Sequence, residues 1–316
     1  MCTAVSFIGK DSYFGRNLDL ERGYNEHVVV TPRNYPFSMR TLPTIERHYA
    51  MIGMATVVGD YPLYFEATNE MGLSMAGLNF PDNAHYHGYK EDKDNVTPFE
   101  FIPYILGKCK DIGEAKELLS GINLVNINFS EGLPLSPLHW IISDKEESIT
   151  VESVKDGLKI YDNPYGVLTN NPTFDYHLMN INNYMNLHEG MGENRISAKQ
   201  NLSTYSLGMG ALGLPGDYSS ASRFVRAVFI KEKSPCFEGE RESVSHFFHI
   251  LGGVAMPKGC VMTKSGEYEY TRYSSCCNAD KGIYYYTTYD NSAITAVDMH
   301  CCDLEGSGIY EFALRE

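Results

Sequence analysis

No stretch of the 316-residue chain comes near the roughly 18 consecutive apolar residues that a membrane-spanning helix requires. The N-terminus carries no basic segment leading into an apolar run, so no secretory leader is expected and the chain reads as cytoplasmic. No stripe of lysines and arginines interleaved with aromatics occurs, and a formal net charge of -14 repels phosphate backbones. Nucleic acid is therefore a poor candidate partner. Low-complexity segments, long charge blocks, Pro/Ser-rich linkers and short-period repeats are also missing, so no domain boundary is visible. None of the eight cysteines forms a Cys-x-x-Cys pair, and an intracellular chain of this length needs no disulfide framework.

What is present suits a soluble enzyme. The apolar fraction of 43% and charged fraction of 21% are those of an ordinary globular domain able to bury a sizeable core. An anionic substrate would need individual arginines to offset the overall negative field, which makes arginine positions informative. The doublets Cys276-Cys277 and Cys301-Cys302, the second beside His300, raise the question of a metal. Neighbours on a strand point to opposite faces, however, so each doublet offers one thiol per side, and buried, inert thiols are the expectation.

Strands are expected at 3–8, 13–18, 27–31, 50–58 and 73–80. Thr97-Pro98-Phe99-Glu100 reads as a capping box opening a helix that Pro103 kinks or shortens, and Asp111 opens a second whose face is Ile112, Ala115, Leu118 and Leu119. Strands return at 139–142, 149–154 and 158–161, with Asp156-Gly157 as a hairpin turn. Helices are expected at 174–187, from a cap at Ser220, and at 242–251, followed by strands around 268–270, 283–289 and 294–299. Strands in quantity, with helices in pairs, argue for α+β layers rather than a doubly wound parallel sheet.

Chemistry centres first on the terminus. Methionine is normally trimmed when the second residue is small, so Cys2 is expected to become the first residue. Its thiol then shares a residue with an α-amine of pKa about 7.7–8.0, able to take the thiol proton directly or through one water. Cys2 is either merely the small residue after the initiator or nucleophile and base together. Arg16 and Asp19 lie in an apolar strand segment and should face opposite sides unless the strand ends or bulges near Asn17. They are either a surface ion pair or, respectively, a thiolate stabiliser and an acceptor for the α-ammonium. Arg223 sits in the first turn of a helix, against the macrodipole, which suits either an anion site or a solvated side chain. Asn79 and Asn170 each end a strand. They are turn residues or oxyanion donors, where one lost donor typically costs about 10²–10³ in rate.

Met1-Cys2-Thr3-Ala4, Phe14-Gly15-Arg16-Asn17-Leu18-Asp19, Asn79 within Ala-Gly-Leu-Asn-Phe, Thr169-Asn170-Asn171-Pro172-Thr173-Phe174 and Ser219-Ser220-Ala221-Ser222-Arg223-Phe224 together resemble the choloylglycine hydrolases. Within them the likeness is nearest to the bacterial bile salt hydrolases, and it runs in order to about Asp298. The resemblance implies a single αββα four-layer sandwich of the N-terminal-nucleophile type over 1–316, with two stacked antiparallel sheets between helices. It implies Cys2 as nucleophile and base, arranged by Arg16 and Asp19, with Asn79 and Asn170 stabilising the oxyanion and Arg223 completing the charged site. It further implies conjugated bile salts of glycine or taurine as substrates, a thioester intermediate, no metal or organic cofactor, a bacterial cytoplasmic location and a homotetramer. Penicillin V acylases of this family tend to carry tyrosine where this chain has Asn79, which favours bile salts. The steroid body needs an apolar wall, for which Leu18 and, in the loop 129–137, Leu133 and Leu135 are the candidates. The rival readings are a penicillin V or other acyl-amide acylase on the same scaffold and a noncatalytic steroid-binding protein.

Overall fold

Runs of β-branched and small residues, alternating in direction, generate most of this chain's strands. In the computed structural model, which describes residues 1–315, Val28 and Val30 of one such run enter one core cluster and Val29 between them enters the other. The strands of the first part are β1 (Cys2–Ile8), β2 (Ser12–Leu20), β3 (His27–Thr31), β4 (Met51–Val58), β5 (Tyr61–Asn69) and β6 (Ser74–Asn79). A small parallel pair follows, β7 (Asp94–Val96) and β8 (Ile122–Leu124), enclosing helices α1 (Phe101–Lys108) and α2 (Ile112–Ser120). Next come β9 (Leu138–Ser143), β10 (Ser148–Val154), β11 (Gly157–Asp162), β12 (Val167–Leu168) and helices α3 (Phe174–Asn180), α4 (Ser220–Glu232) and α5 (Glu240–Gly252). The chain closes with β13 (Val261–Met262), β14 (Tyr268–Asn278), β15 (Ile283–Thr288), β16 (Thr295–Asp298) and β17 (Tyr310–Ala313).

These strands form two antiparallel sheets. The first runs β12-β1-β2-β14-β15-β16 with β13 on β14, and the second runs β11-β10-β9-β6-β5-β4-β3-β17. Helices α4 and α5 cover the first sheet and α1 covers the second, while β1 and β2 face β6 across the middle. The order helix, sheet, sheet, helix is the expected α+β sandwich. Ile52, Ala76, Leu78 and Ile141 pack toward the first sheet, whereas Met51, Met75, Trp140 and Ile142 pack toward α1 and α2. Each fully buried side chain of this size contributes roughly 1.5–3 kcal/mol.

Several expectations need correction. β5 escapes the sequence reading because Pro62 and Glu66 interrupt its pattern. Pro62 is tolerated because only β4 pairs with that part of the strand; β6 joins at Glu66–Thr68. At the first capping box, the Glu100 carboxylate does accept from Thr97 N, at 3.0 Å, but the helix starts later, at Phe101, and the Thr97 hydroxyl has no partner. Pro103 therefore falls in the first turn, where a missing N–H costs nothing. The third helix stops at Asn180 and continues only as a 3-10 turn to Tyr184, with the Asn182 carboxamide bonding to the Leu178 and Met179 carbonyls. The cap of α4 is Ser219, not Ser220, whose hydroxyl is engaged elsewhere. Cys276 and Cys277 are buried in β14, but Cys301 closes a 3-10 turn, is exposed and lies 3.9 Å from the Cys302 sulfur; Cys236 and Cys260 are exposed as well. Among the described residues no group of three or more metal-ligating side chains gathers, and no helix is long and apolar enough to cross a membrane.

One glycine fixes the approach of β14 to β2. A Cβ on Gly15 would lie 1.9 Å from the Ser275 carbonyl oxygen, so only glycine permits this ladder beside Arg16. Gly15→Ala is expected to cost about 1–3 kcal/mol or more, because the clash is with backbone. Gly132→Ala, with open space around its Cβ, should leave thermal unfolding unchanged. Equal melting temperatures for the two variants would contradict this packing.

Candidate active site

The antiparallel register places Cys2 opposite Leu18 and Ala4 opposite Arg16, so Cys2, Leu18 and Arg16 share the face turned to the second sheet. Leu18 and Cys2 are both buried in that inter-sheet core. Arg16, wholly buried, donates through Nη1 to Gly77 O at 2.7 Å and Phe65 O at 3.2 Å, with Glu66 Oε2 3.7 Å away. Among the described residues its Nε and Nη2 have no partner. Asn17 and Asp19 turn the other way: Asn17 donates to Leu251 O in α5, and Asp19 Oδ1 accepts from Thr271 Oγ1 at 2.6 Å. Arg16 and Asp19 thus do face opposite sides. The register shift lies not near Asn17 but on β14, where Arg272 is the extra residue.

The terminus threads between them. Asp19 N donates to Met1 O at 3.0 Å, and the Met1 ammonium donates to Asp19 O at 2.7 Å and pairs with the Glu269 carboxylate. Asp19 Oδ2, though buried, has no partner. Burial raises the Asp19 carboxyl above its ordinary value, opposed chiefly by Arg223 and the terminal charge. Burial likewise lowers the Met1 ammonium, opposed by Cys2 and Asp19. Arg16 is pulled down by burial, but Cys2, Tyr273 and Glu66 outweigh that and hold it above its ordinary value.

Asn170 follows β12 and meets Cys2 directly, its Oδ1 accepting from Cys2 N at 2.8 Å and from Arg223 Nη2 at 2.7 Å. Its Nδ2 donates to Asn79 O at 2.7 Å, which brings the two asparagines together; the Asn79 side chain is half-buried. Asn170 N donates to Ser220 Oγ at 2.8 Å, and its carbonyl accepts from His177 Nε2 at 2.9 Å. Arg223 is wholly buried, so it is not the solvated side chain that one reading allowed. Its Nη1 donates to Cys2 O at 2.5 Å and Thr3 Oγ1 at 2.7 Å, and Nε donates to Tyr218 O at 3.0 Å. At the start of α4, hydrogen bonds from Ser219 and Ser222 hold the Asp217 carboxyl down at about 2. The structure therefore gathers Cys2, Leu18, Arg16, Asp19, Asn79, Asn170 and Arg223. Leu133 and Leu135 are half-exposed and lie in neither core cluster; their loop is tied down where Pro137 O accepts from Phe80 N, beside Asn79.

Sequence reasoning passed over the residues that hold this set. His139, buried and stacked on Phe80 at 4.2 Å, bridges Glu152 Oε1 and the Thr169 carbonyl, each at 3.1 Å, just before Asn170. Ser220 and His177 fix the Asn170 main chain, and Glu66, Thr271 and Glu269 surround Arg16 and the terminus. A histidine and glutamates within otherwise apolar strands were the available signal.

The chain resembles known proteins over nearly its whole length. The profile of the linear amide C-N hydrolases, choloylglycine hydrolase family, matches residues 2–312. The chain is similar to the bile salt hydrolase/transferase of Lactiplantibacillus plantarum, 55% identical over 315 residues and covering 100% of this chain and 97% of that one. Its structure is similar to that of a mutant conjugated bile acid hydrolase from Clostridium perfringens, with a TM-score of 0.92, 37% identity and coverage of 100% and 97%. It also shares its fold with the penicillin V acylase of Agrobacterium tumefaciens, with a TM-score of 0.78 at 22% identity, covering 99% and 91%.

His177 gives the site a pH signature. Because Nε2 donates to the Asn170 carbonyl and Nδ1 is unpartnered, the ring is neutral, and burial pushes its pKa down to about 4. Its contribution is complete above the ordinary value of 6.5 and is lost as pH falls toward about 4, because in that window only the unfolded chain takes up the proton. The expected slope is about 1.4 kcal/mol per pH unit. Urea unfolding of His177→Gln across the same window should lack this slope; an unchanged slope would assign it to another group.

Proposed function

Because the chain belongs to the choloylglycine hydrolase family of linear amide C-N hydrolases, we propose that it cleaves the amide of glycine- and taurine-conjugated bile salts with Cys2 as nucleophile once Met1 is removed. The observation that carries this reading is the grip on the Cys2 nitrogen by Asn170 Oδ1 at 2.8 Å. Removing Met1 turns that nitrogen into the α-amine, already oriented by one acceptor, with Asp19 on the neighbouring strand as the acceptor for its charge. The amine takes the thiol proton, and the thiolate attacks the amide carbonyl. The unpartnered edge of Arg16 favours the thiolate, its diagonal neighbour on the same face of the β1–β2 ladder.

Asn79 and Asn170 stabilise the oxyanion, Asn170 through the Nδ2 hydrogen that does not go to Asn79 O. The α-ammonium then protonates the leaving glycine or taurine nitrogen, and water hydrolyses the thioester. Arg223 holds the Cys2 and Thr3 end of the strand fixed throughout. Leu18 beside Cys2, with Leu133 and Leu135 on the loop anchored next to Asn79, supplies the apolar wall for the steroid. Support for bile salts over penicillin V comes from Asn79 and from the relatives, a bile salt hydrolase/transferase and a conjugated bile acid hydrolase, while the likeness to the acylase speaks for fold alone. The segment between α3 and α4 exposes Met185, Ile196, Tyr205, Leu207 and Leu212, a surface suited to packing against further copies in a cytoplasmic homotetramer. Native mass spectrometry showing only single chains would remove that assembly.

Cys2→Ser is expected to abolish turnover of taurocholate and glycocholate, since a serine hydroxyl is far less ionised at neutral pH. A chain in which Met1 is retained should be inactive for want of the α-amine. The processed enzyme should cleave taurocholate faster than penicillin V. Near-normal turnover by either altered protein, or faster cleavage of penicillin V, would overturn this reading.

A further inference from the structure

We propose that Glu66 is a positioning residue for Arg16, holding one edge of the guanidinium so that the other faces the Cys2 sulfur; this rests on the reading of Cys2 as the nucleophile. Glu66 lies in β5 of the second sheet and is 1% exposed, while Arg16 belongs to the first. Between Met54 and Ala55 of β4 the β5 register shifts, with Phe65 as the extra residue. A bulge of this kind re-aims the groups around it. Here the Phe65 carbonyl accepts from Arg16 Nη1 at 3.2 Å, and the next residue brings its carboxylate to 3.7 Å from the same nitrogen.

The carboxylate is itself clamped from the opposite sheet. Tyr273 donates to Oε2 at 2.8 Å, and Tyr284 and Ser275 donate to Oε1 at 2.5 and 3.0 Å. Those three donors stand on β14 and β15. Ser275 also accepts from Arg16 N at 3.2 Å, closing a ring that contains both charges. A pair built only for stability would meet fork to fork, with two parallel hydrogen bonds. This one does not. Glu66 approaches the nitrogen already held by Gly77 O and Phe65 O, and leaves Nε and Nη2 unpartnered in a fully buried place. Buried unpartnered donors are costly, so their persistence marks a site that expects an anion. Arg16 and Cys2 lie on the same face of the β1–β2 ladder, one diagonal step apart, which makes the thiolate the nearest candidate.

The test uses the processed, full-length enzyme. Two readouts are combined: kcat and KM on taurocholate, and the pH dependence of iodoacetamide alkylation of the Cys2-containing peptide, followed by mass spectrometry. Glu66→Gln keeps the shape but places an amide against Arg16 Nη1. The expected result is a fall in kcat of about 10- to 100-fold, KM within about threefold, and an alkylation midpoint raised by about one pH unit, as an ill-placed Arg16 stabilises the thiolate less. A folded Glu66→Gln enzyme with an unchanged midpoint overturns the proposal, whether or not kcat falls, because loss of activity alone would mark a structural role. Should that variant fail to fold, Tyr273→Phe and Tyr284→Phe, each removing one donor to Glu66, take its place. A smaller rise in midpoint supports the proposal, and no rise overturns it. The alkylation readout needs no substrate, so its failure is separable from failure of the reading of Cys2 as nucleophile, which would show as taurocholate turnover that does not depend on Cys2.

Discussion

The hydrogen bond from the Cys2 nitrogen to Asn170 Oδ1 joins the first strand of the chain to a loop 168 residues later, and the rest of the site is arranged around it. Asn170 can hold that nitrogen only because its own polar groups are tied to Arg223, Asn79, Ser220 and His177. Those partners come from three different elements, β6, α3 and α4. On the proposed reading, the acceptor is thereby fixed before any amine is released, so that trimming the terminus would change the chemistry of the nitrogen without requiring the fold to move. Preorganisation of this kind removes the cost of orienting a base during reaction.

Around that bond the interior holds an unusual density of charge. Arg16, Glu66, Asp19 and Arg223 are all essentially inaccessible to water. Burying ions is expensive, and a buried pair often stabilises no more than apolar residues of the same volume. Here the charges are met mainly by carbonyls and hydroxyls. Arg223 rests on the Cys2 and Tyr218 carbonyls, and Glu66 on two tyrosines and a serine. Of these four, what stays unmet among the described residues is one edge of Arg16 and one oxygen of Asp19, on opposite faces of β2. In the proposed mechanism the sheets supply rigidity and the unmet groups supply the chemistry.

Which parts of this were legible in the sequence follows from how local each signal was. Arg16 and Asp19 stood out because they carry charge inside an apolar strand, and Arg223 because it opposes a helix dipole. Those conflicts are visible within a few residues. Asn170 and Asn79 looked like turn residues, and only the resemblance separated them from other asparagines. The strand β5 was invisible because Pro62 and Glu66 break its alternation. Both exceptions are explained by what lies opposite in the folded molecule, an unpaired edge for the proline and a ring of hydroxyls for the glutamate. His139 and Glu152 were missed for the same reason: their partners are 13 residues or more away in sequence. Ser219 and Ser220 could not be told apart as caps, because the difference lies in Ser220 bonding to Asn170. The α+β layering was readable from paired helices and abundant strands and the four-layer sandwich from the resemblance, whereas the support of the site was not, being almost entirely long-range.

Direct observation of the covalent intermediate probes the central claim most sharply. Processed enzyme mixed with excess taurocholate, quenched in acid within the first turnovers and digested, should yield an N-terminal peptide that begins at Cys2 and carries the steroid acyl group as a thioester labile to hydroxylamine. An acyl group on any other residue, or on a peptide that still begins with Met1, would contradict the account.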